Sequence, residues 1–198
     1  MISLRNIRKL MSLTFTDKIL ARTLLRVIPD WITPNMVTWF RFITIPFVGY
    51  FFIQEQYIFG LVLFFFSSFS DAVDGSLART RNKVTDWGRT YDPLADKLLI
   101  GISVFILVSR FLNIYLATTI ITLEIVLLFG ALYRRRTQGI PIEAEVSGKA
   151  KMVLQSFGVG ALLVSVAFQL PAFLIVAGYL LYLSIIFAII SLVVYKSI

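Results

Sequence analysis

The alternation of apolar and polar positions lays out the elements of this chain before any residue is counted. From Asp17 onward, Lys18, Arg22 and Arg26 recur at i, i+4 and i+8, while Leu20, Leu24, Val27 and Ile28 line another face. This spacing predicts an amphipathic helix lying in a membrane interface, capped by Asp17, with its basic side toward lipid headgroups. Pro29 and Pro34 end it. Six apolar segments follow, at 35–54, 57–79, 90–110, 113–133, 150–169 and 172–195, to be measured against the ~20 residues that span hydrocarbon. Segments two and three depart from the others. The second is apolar only from Tyr57 to Ser70 before it meets Asp71, and the third becomes apolar only at Leu98, after Asp92 and Asp96. If both helices run through their acids, the carboxylates stand at the C-terminal end of one and the N-terminal end of the next, on one side of the membrane. The expected fold is an all-α integral membrane protein: six transmembrane helices preceded by an N-terminal amphipathic interfacial helix. Residues 1–31 form the juxtamembrane segment and residues 32–198 the transmembrane domain, with no internal repeat and no appended soluble domain.

Composition sharpens this picture. A chain that is 58% hydrophobic and 15% charged is not a water-soluble globular one. Its net charge of +8 therefore points to an anionic membrane surface and not to nucleic acid. The absence of Cys and His excludes disulfides, thiolate nucleophiles, His-centred triads and His-ligated zinc or haem. Any catalysis must rest on carboxylates, Lys, Arg, hydroxyls or bound metal. Arg5, Arg8 and Lys9 are followed by no uninterrupted apolar stretch and no small-residue cleavage site, so no secretory signal is expected. The basic residues fall on alternate connections: the N-terminal stretch, then Arg79, Arg81, Lys83 and Arg89, then Arg134, Arg135, Arg136, Lys149 and Lys151, and finally Lys196. The opposite connections hold only Arg110. Because Lys and Arg accumulate on the cytoplasmic side, both termini and the acidic cluster are expected there.

The candidate chemistry lies in Asp71-Ala-Val-Asp74-Gly75-Ser-Leu-Ala78-Arg79, followed after eight residues by Gly88, then Asp92 and Asp96 at steps of four. At helical spacing, positions 71, 74, 75 and 78 share one face, as do 88, 92 and 96. Four carboxylates brought together would repel one another and be costly to desolvate, so they retain protons or hold cations. An all-oxygen set suits Mg²⁺, Mn²⁺ or Ca²⁺, and four acids suffice for two ions. Gly75, Ala78 and Gly88 would let a flat or extended ligand approach the backbone. Arg79 offers a planar donor fork suited to phosphate. Together these describe a site for a diphosphate-linked nucleotide attached to a lipid.

The pattern Asp-x₂-Asp-Gly-x₂-Ala-Arg-x₈-Gly-x₃-Asp-x₃-Asp resembles the signature of the CDP-alcohol phosphotransferases, integral membrane enzymes of phospholipid synthesis, and all eight fixed positions match. The resemblance implies transfer of a phosphatidyl or phospho-alcohol group from a CDP-linked donor to an alcohol, with release of CMP. It implies Asp71, Asp74 and Asp92 as metal ligands, with Asp96 assisting in metal binding or acting as general base on the acceptor hydroxyl. Gly75, Ala78, Arg79 and Gly88 would hold the CDP moiety of the donor, and two Mg²⁺ (or Mn²⁺) ions would serve as cofactors. The implied partners are CDP-diacylglycerol, a small alcohol and the bilayer, without nucleic acid; a homodimer is left open.

Thr33-Pro34-Asn35-Met36-Val37-Thr38-Trp39-Phe40-Arg41 and Asp92-Pro93-Leu94-Ala95-Asp96-Lys97-Leu98-Leu99 look like phosphatidylglycerophosphate synthases and the related cardiolipin synthases. Glycerol 3-phosphate is accordingly the expected acceptor, with phosphatidylglycerol or inositol phosphate as alternatives. Its phosphate needs Arg or Lys, and the candidates are Arg41, Arg134 to Arg136, Lys149 and Lys151. Ser147-Gly148-Lys149-Ala150-Lys151 is similar to the basic turn before the fifth helix of the glycerophosphate enzymes. Leu123-Glu124 departs from the Arg-Glu pair of that subfamily, and Glu124 is read as structural or cavity-lining. An ion-coupled transporter is the alternative from another class, disfavoured because the acids lie at helix ends beside a basic loop.

Overall fold

The computed structural model describes residue 29 and residues 32–80, 86–138 and 146–194; within these, the side chains at 72, 74–75, 78–80, 86–90, 131–132, 134–138, 146 and 194 lie outside the description. All regular structure among the described residues is helical. The elements are α1 (Pro34–Ile53), α2 (Tyr57–Thr80), α3 (Asp86–Ser103), α4 (Ile114–Gln138), α5 (Val146–Phe168) and α6 (Pro171–Val194), with α3 continued by a π-helical turn, Val104–Val108, and a last turn, Ser109–Phe111. The amphipathic helix expected around residues 17–28 lies outside the described residues.

Local chemistry sets the helix ends. Thr33 caps α1, its Oγ1 accepting from Met36 N at 3.3 Å, and Pro34 occupies the first helical position, where its missing N–H costs nothing. Asn113 caps α4 by accepting from Tyr115 N at 2.8 Å. Two tight turns use left-handed residues. Glu55 (φ 59°) follows α1 and Gln169 (φ 55°) follows α5, and in each case the next N–H reaches five residues back, Gln56 N to Phe51 O at 2.8 Å and Leu170 N to Ser165 O at 3.0 Å. These are Schellman closures built without glycine.

Two compact units divide the chain. The first comprises residues 1–47 and 63–99. Its apolar interior includes Ile45, Phe64, Val73, Leu77, Ala95 and Leu99, and among these lie buried polar groups from Thr38, Arg41, Thr44, Ser67, Ser70 and Ser76. The second comprises residues 48–62 and 100–198. Here α5 pairs with α6, and Gly158 permits the approach: a Cβ on it would stand 2.9 Å from Leu181 Cγ. In the same unit Arg110 pairs with Glu55 at 2.5 Å, which brings the α1–α2 and α3–α4 turns together.

Helices Pro34–Ile53, Ser147–Phe168 and Pro171–Val193 are long and apolar enough to cross a membrane, and Tyr57–Asp71 and Ile114–Gly130 form shorter apolar stretches. Tyr115, Phe157 and Val193 are exposed while Arg41, Lys151 and Ser184 are buried. This distribution, large apolar side chains outward and polar ones inward, is that of a helical membrane protein. The fifth helix begins earlier than expected, at Val146 and not near residue 150. The basic stretch from Ser147 to Lys151 is therefore its first turns and no preceding turn, since neither Ser147 nor Gly148 interrupts the helical backbone.

Candidate active site

The four aspartates all belong to the first unit. Helix α2 runs unbroken through Asp71 to Thr80, and α3 starts at Asp86, early enough to include Gly88. Positions 71, 74, 75 and 78 thus share a face of α2, and 88, 92 and 96 share a face of α3, as the spacing predicts. Side chains of Asp74, Gly75, Ala78, Arg79 and Gly88 lie outside the described residues.

Asp71 and Asp92 are both held by α1. Arg41 is completely buried, and its Nη1 donates to Asp71 Oδ1 at 2.9 Å. Its Nε stands 3.3 Å from both Ser67 O and Ser70 Oγ, so the same guanidinium is bound along a full turn of α2. Ser70 Oγ in turn donates to Ser67 O at 2.7 Å, and the hydroxyls of Thr44 and Ser67 meet at 3.0 Å. One turn before Arg41, Thr38 Oγ1 donates to Asp92 Oδ1 at 2.6 Å. Because Thr38 and Arg41 are i, i+3 on one helix, the two carboxylates lie against the same face of α1. Each bond takes one oxygen, Oδ1, of its carboxylate. Asp71 keeps about half of its side chain exposed, 49%, and Asp92 is partly buried. Asp96 lies one turn further along α3 and is also partly buried.

Phe42 packs edge-on against Tyr91, ring centroids 6.5 Å apart, beside the Thr38–Asp92 bond. Pro93 follows directly and removes the N–H that would otherwise close the α3 ladder at that residue. Among the described residues no group of three or more acids is gathered closely enough to hold a metal ion. What the structure displays is two carboxylates steadied by a buried cation and a buried hydroxyl.

The remaining phosphate candidates belong to the second unit or lie outside the description. Lys149 is exposed. Lys151 is buried, its Nζ 2.5 Å from Glu124 Oε1, an ion pair whose angles depart from those of a hydrogen bond. Glu124, read from the sequence as structural or cavity-lining, is the partner of this buried lysine. The Arg134 side chain is outside the described residues. Arg41, also a phosphate candidate in the sequence, is engaged by Ser67, Ser70 and Asp71. Thr38 was not singled out by sequence reasoning. The signal was present: Thr38 and Arg41 are polar positions one turn apart in a largely apolar segment, with Thr44 a further turn along the same helix, and such residues face protein and not lipid.

Residues 31–190 match the family model described as CDP-alcohol phosphatidyltransferase. The chain belongs to this family. It is 35% identical over 141 residues to the CDP-diacylglycerol–glycerol-3-phosphate 3-phosphatidyltransferase of Bacillus subtilis (strain 168), covering 70% of this chain and 72% of that protein. To the protein of the same name from Aquifex aeolicus (strain VF5) it is 42% identical over 65 residues, 33% of this chain and 36% of the relative. A human cardiolipin synthase (CMP-forming) is 33% identical over 114 residues, 56% of this chain and 38% of the relative. The matched region contains every position of the aspartate motif.

Proposed function

We propose that this CDP-alcohol phosphatidyltransferase transfers the phosphatidyl group of CDP-diacylglycerol to glycerol 3-phosphate, releasing CMP. The observation that carries the reading is the likeness to the Bacillus subtilis glycerol-3-phosphate enzyme over most of both chains. Phosphatidylglycerol is the second acceptor to consider, because the human relative is a cardiolipin synthase.

In this reading Asp71, Asp74, Asp92 and Asp96 form the reacting centre. Their all-oxygen donor set fits a hard divalent cation, Mg²⁺ or Mn²⁺, and the bonds described leave Oδ2 of Asp71 and of Asp92 outside them. A pair of such ions would supply positive charge to the diphosphate and to the leaving CMP. Asp96 accepts the proton of the acceptor hydroxyl; the hydroxyl oxygen bonds to the phosphorus carrying diacylglycerol as the P–O bond to CMP breaks. Gly75, Ala78, Arg79 and Gly88 hold the CDP moiety, and Lys149, Lys151 and Arg134 are the candidates for the acceptor phosphate. Six spans, an interfacial N-terminal helix and a cytoplasmic active site complete the reading, supported by the basic residues on alternate connections.

The deciding experiment is CMP release by the purified protein from CDP-diacylglycerol, with glycerol 3-phosphate, phosphatidylglycerol, inositol phosphate, serine and inositol compared as acceptors. Glycerol 3-phosphate is expected to give the highest kcat/KM. A higher value for phosphatidylglycerol would make the chain a cardiolipin synthase, and release with no added acceptor alone would remove the transferase assignment.

A further inference from the structure

The hydroxyl of Thr38 has no packing reason to be there. The side chain is 1% exposed, inside a helix whose neighbouring positions are mostly apolar, and valine would fill the same volume. A threonine in a helix ordinarily returns its proton to the carbonyl four residues back, and Pro34 O is available at 3.2 Å. Asp92 Oδ1 stands closer, at 2.6 Å, and is the stronger acceptor because it carries charge. With one proton to give, the hydroxyl gives it to the carboxylate.

This bond crosses between two helices at residues 54 apart in the chain. It fixes the torsion of the Asp92 carboxylate by holding one oxygen, Oδ1, so the other has a set direction. The Phe42–Tyr91 edge contact and Pro93 hold the adjoining backbone. Groups that hydrogen-bond a metal-ligating carboxylate in this way tune its orientation and basicity.

We infer that Thr38 is a positioning residue for Asp92: its buried hydroxyl orients the carboxylate so that Oδ2 faces a divalent cation. The inference rests on the reading of Asp92 as a metal ligand. Thr38 touches neither the reacting atoms nor the substrate in this scheme. It acts through Asp92.

The test is equilibrium Mn²⁺ binding to the purified protein without substrate, read from the electron paramagnetic resonance signal of free Mn²⁺. Three variants are compared with wild type: T38V and T38A, which remove the hydroxyl, and T38S, which retains it. T38V and T38A are expected to bind Mn²⁺ about 10–100-fold more weakly, with thermal unfolding midpoints near that of wild type, while T38S binds as wild type does. Raising the metal concentration should restore CMP release in T38V without altering its KM for CDP-diacylglycerol. If either hydroxyl-free variant folds and binds Mn²⁺ like wild type, or if T38S loses binding as T38V does, Thr38 is a packing residue. Failure of T38V and T38A to fold would place it in packing too. Absence of Mn²⁺ binding in wild type is a separate outcome: it removes the metal reading of Asp92 and the positioning role with it.

Discussion

Arg41 on α1 and Asp71 on α2 form an ion pair of 2.9 Å in which the arginine is completely buried and the aspartate half-exposed. The arrangement is asymmetric by necessity. A buried guanidinium needs acceptors for its N–H groups, and Ser67 O, Ser70 Oγ and Asp71 Oδ1 are among them, along one turn of α2. The aspartate, by contrast, presents its remaining surface outward. A single buried cation thus joins two helices and sets the height of a carboxylate in the family motif.

Removing that cation should weaken the fold before it affects any single chemical step. Arg41→Ala empties a fully buried site and leaves Asp71 without its cation, while Ser70 Oγ and Ser67 O keep their bond to each other; the expected loss is about 2–4 kcal/mol. Arg41→Lys keeps the charge but not the planar fork, and should recover only part of the loss. Thermal unfolding in detergent is the measurement; a midpoint equal to wild type in Arg41→Ala would show that the pair contributes no stability.

The aspartates are expected to be separable by what they bind. Asp71→Asn, Asp74→Asn and Asp92→Asn should each reduce CMP release by at least ~100-fold and weaken metal-dependent donor binding together. Asp96→Asn should lower kcat far more than it weakens donor binding if its main work is proton transfer. Chelation with EDTA should abolish turnover and added Mg²⁺ restore it. Full activity in EDTA would remove the metal from the mechanism.

Glu124 and Lys151 present a choice between structure and recognition. As a buried ion pair, either single change, Glu124→Gln or Lys151→Met, should cost roughly 3–5 kcal/mol and the double variant less than the sum. If Lys151 also grips the acceptor phosphate, Lys151→Gln should raise the KM for glycerol 3-phosphate by ~10-fold or more while that for CDP-diacylglycerol stays nearly unchanged. Unchanged acceptor KM values would leave Lys151 a structural partner of Glu124 and direct attention to Arg134 and Lys149.

The topology can be read with single cysteines, since the chain has none of its own. Cysteine placed at Asn82 or at Gln138 should react with an impermeant thiol reagent only from the cytoplasmic side, because these positions adjoin basic connections. Labelling from outside would invert the orientation and move the active site to the other face.

Much of this architecture could be read from the chain alone. Apolar stretches of spanning length, a capping Thr33 before Pro34, and acids spaced by three and four residues all act through local geometry, and local geometry is carried by sequence. Hence the helical faces of Asp71–Ala78 and Gly88–Asp96 and the family resemblance were legible without coordinates. The early start of α5 was missed because basic residues ordinarily mark a loop, whereas Lys151 is admitted to the interior by Glu124 on another helix. The partners of Arg41 and Thr38 were invisible for the same reason. Nothing in residues 38–41 says which acids they meet, 54 and 30 residues away. A buried donor must find an acceptor, but only the packing of helices decides which one. The sequence by itself determined the helices, their apolar character and the helical spacing of the motif's acids. The tertiary structure decided that a buried arginine and a buried threonine on α1 hold two of those carboxylates in place, because desolvation makes every such pairing obligatory and only the fold brings the partners within reach.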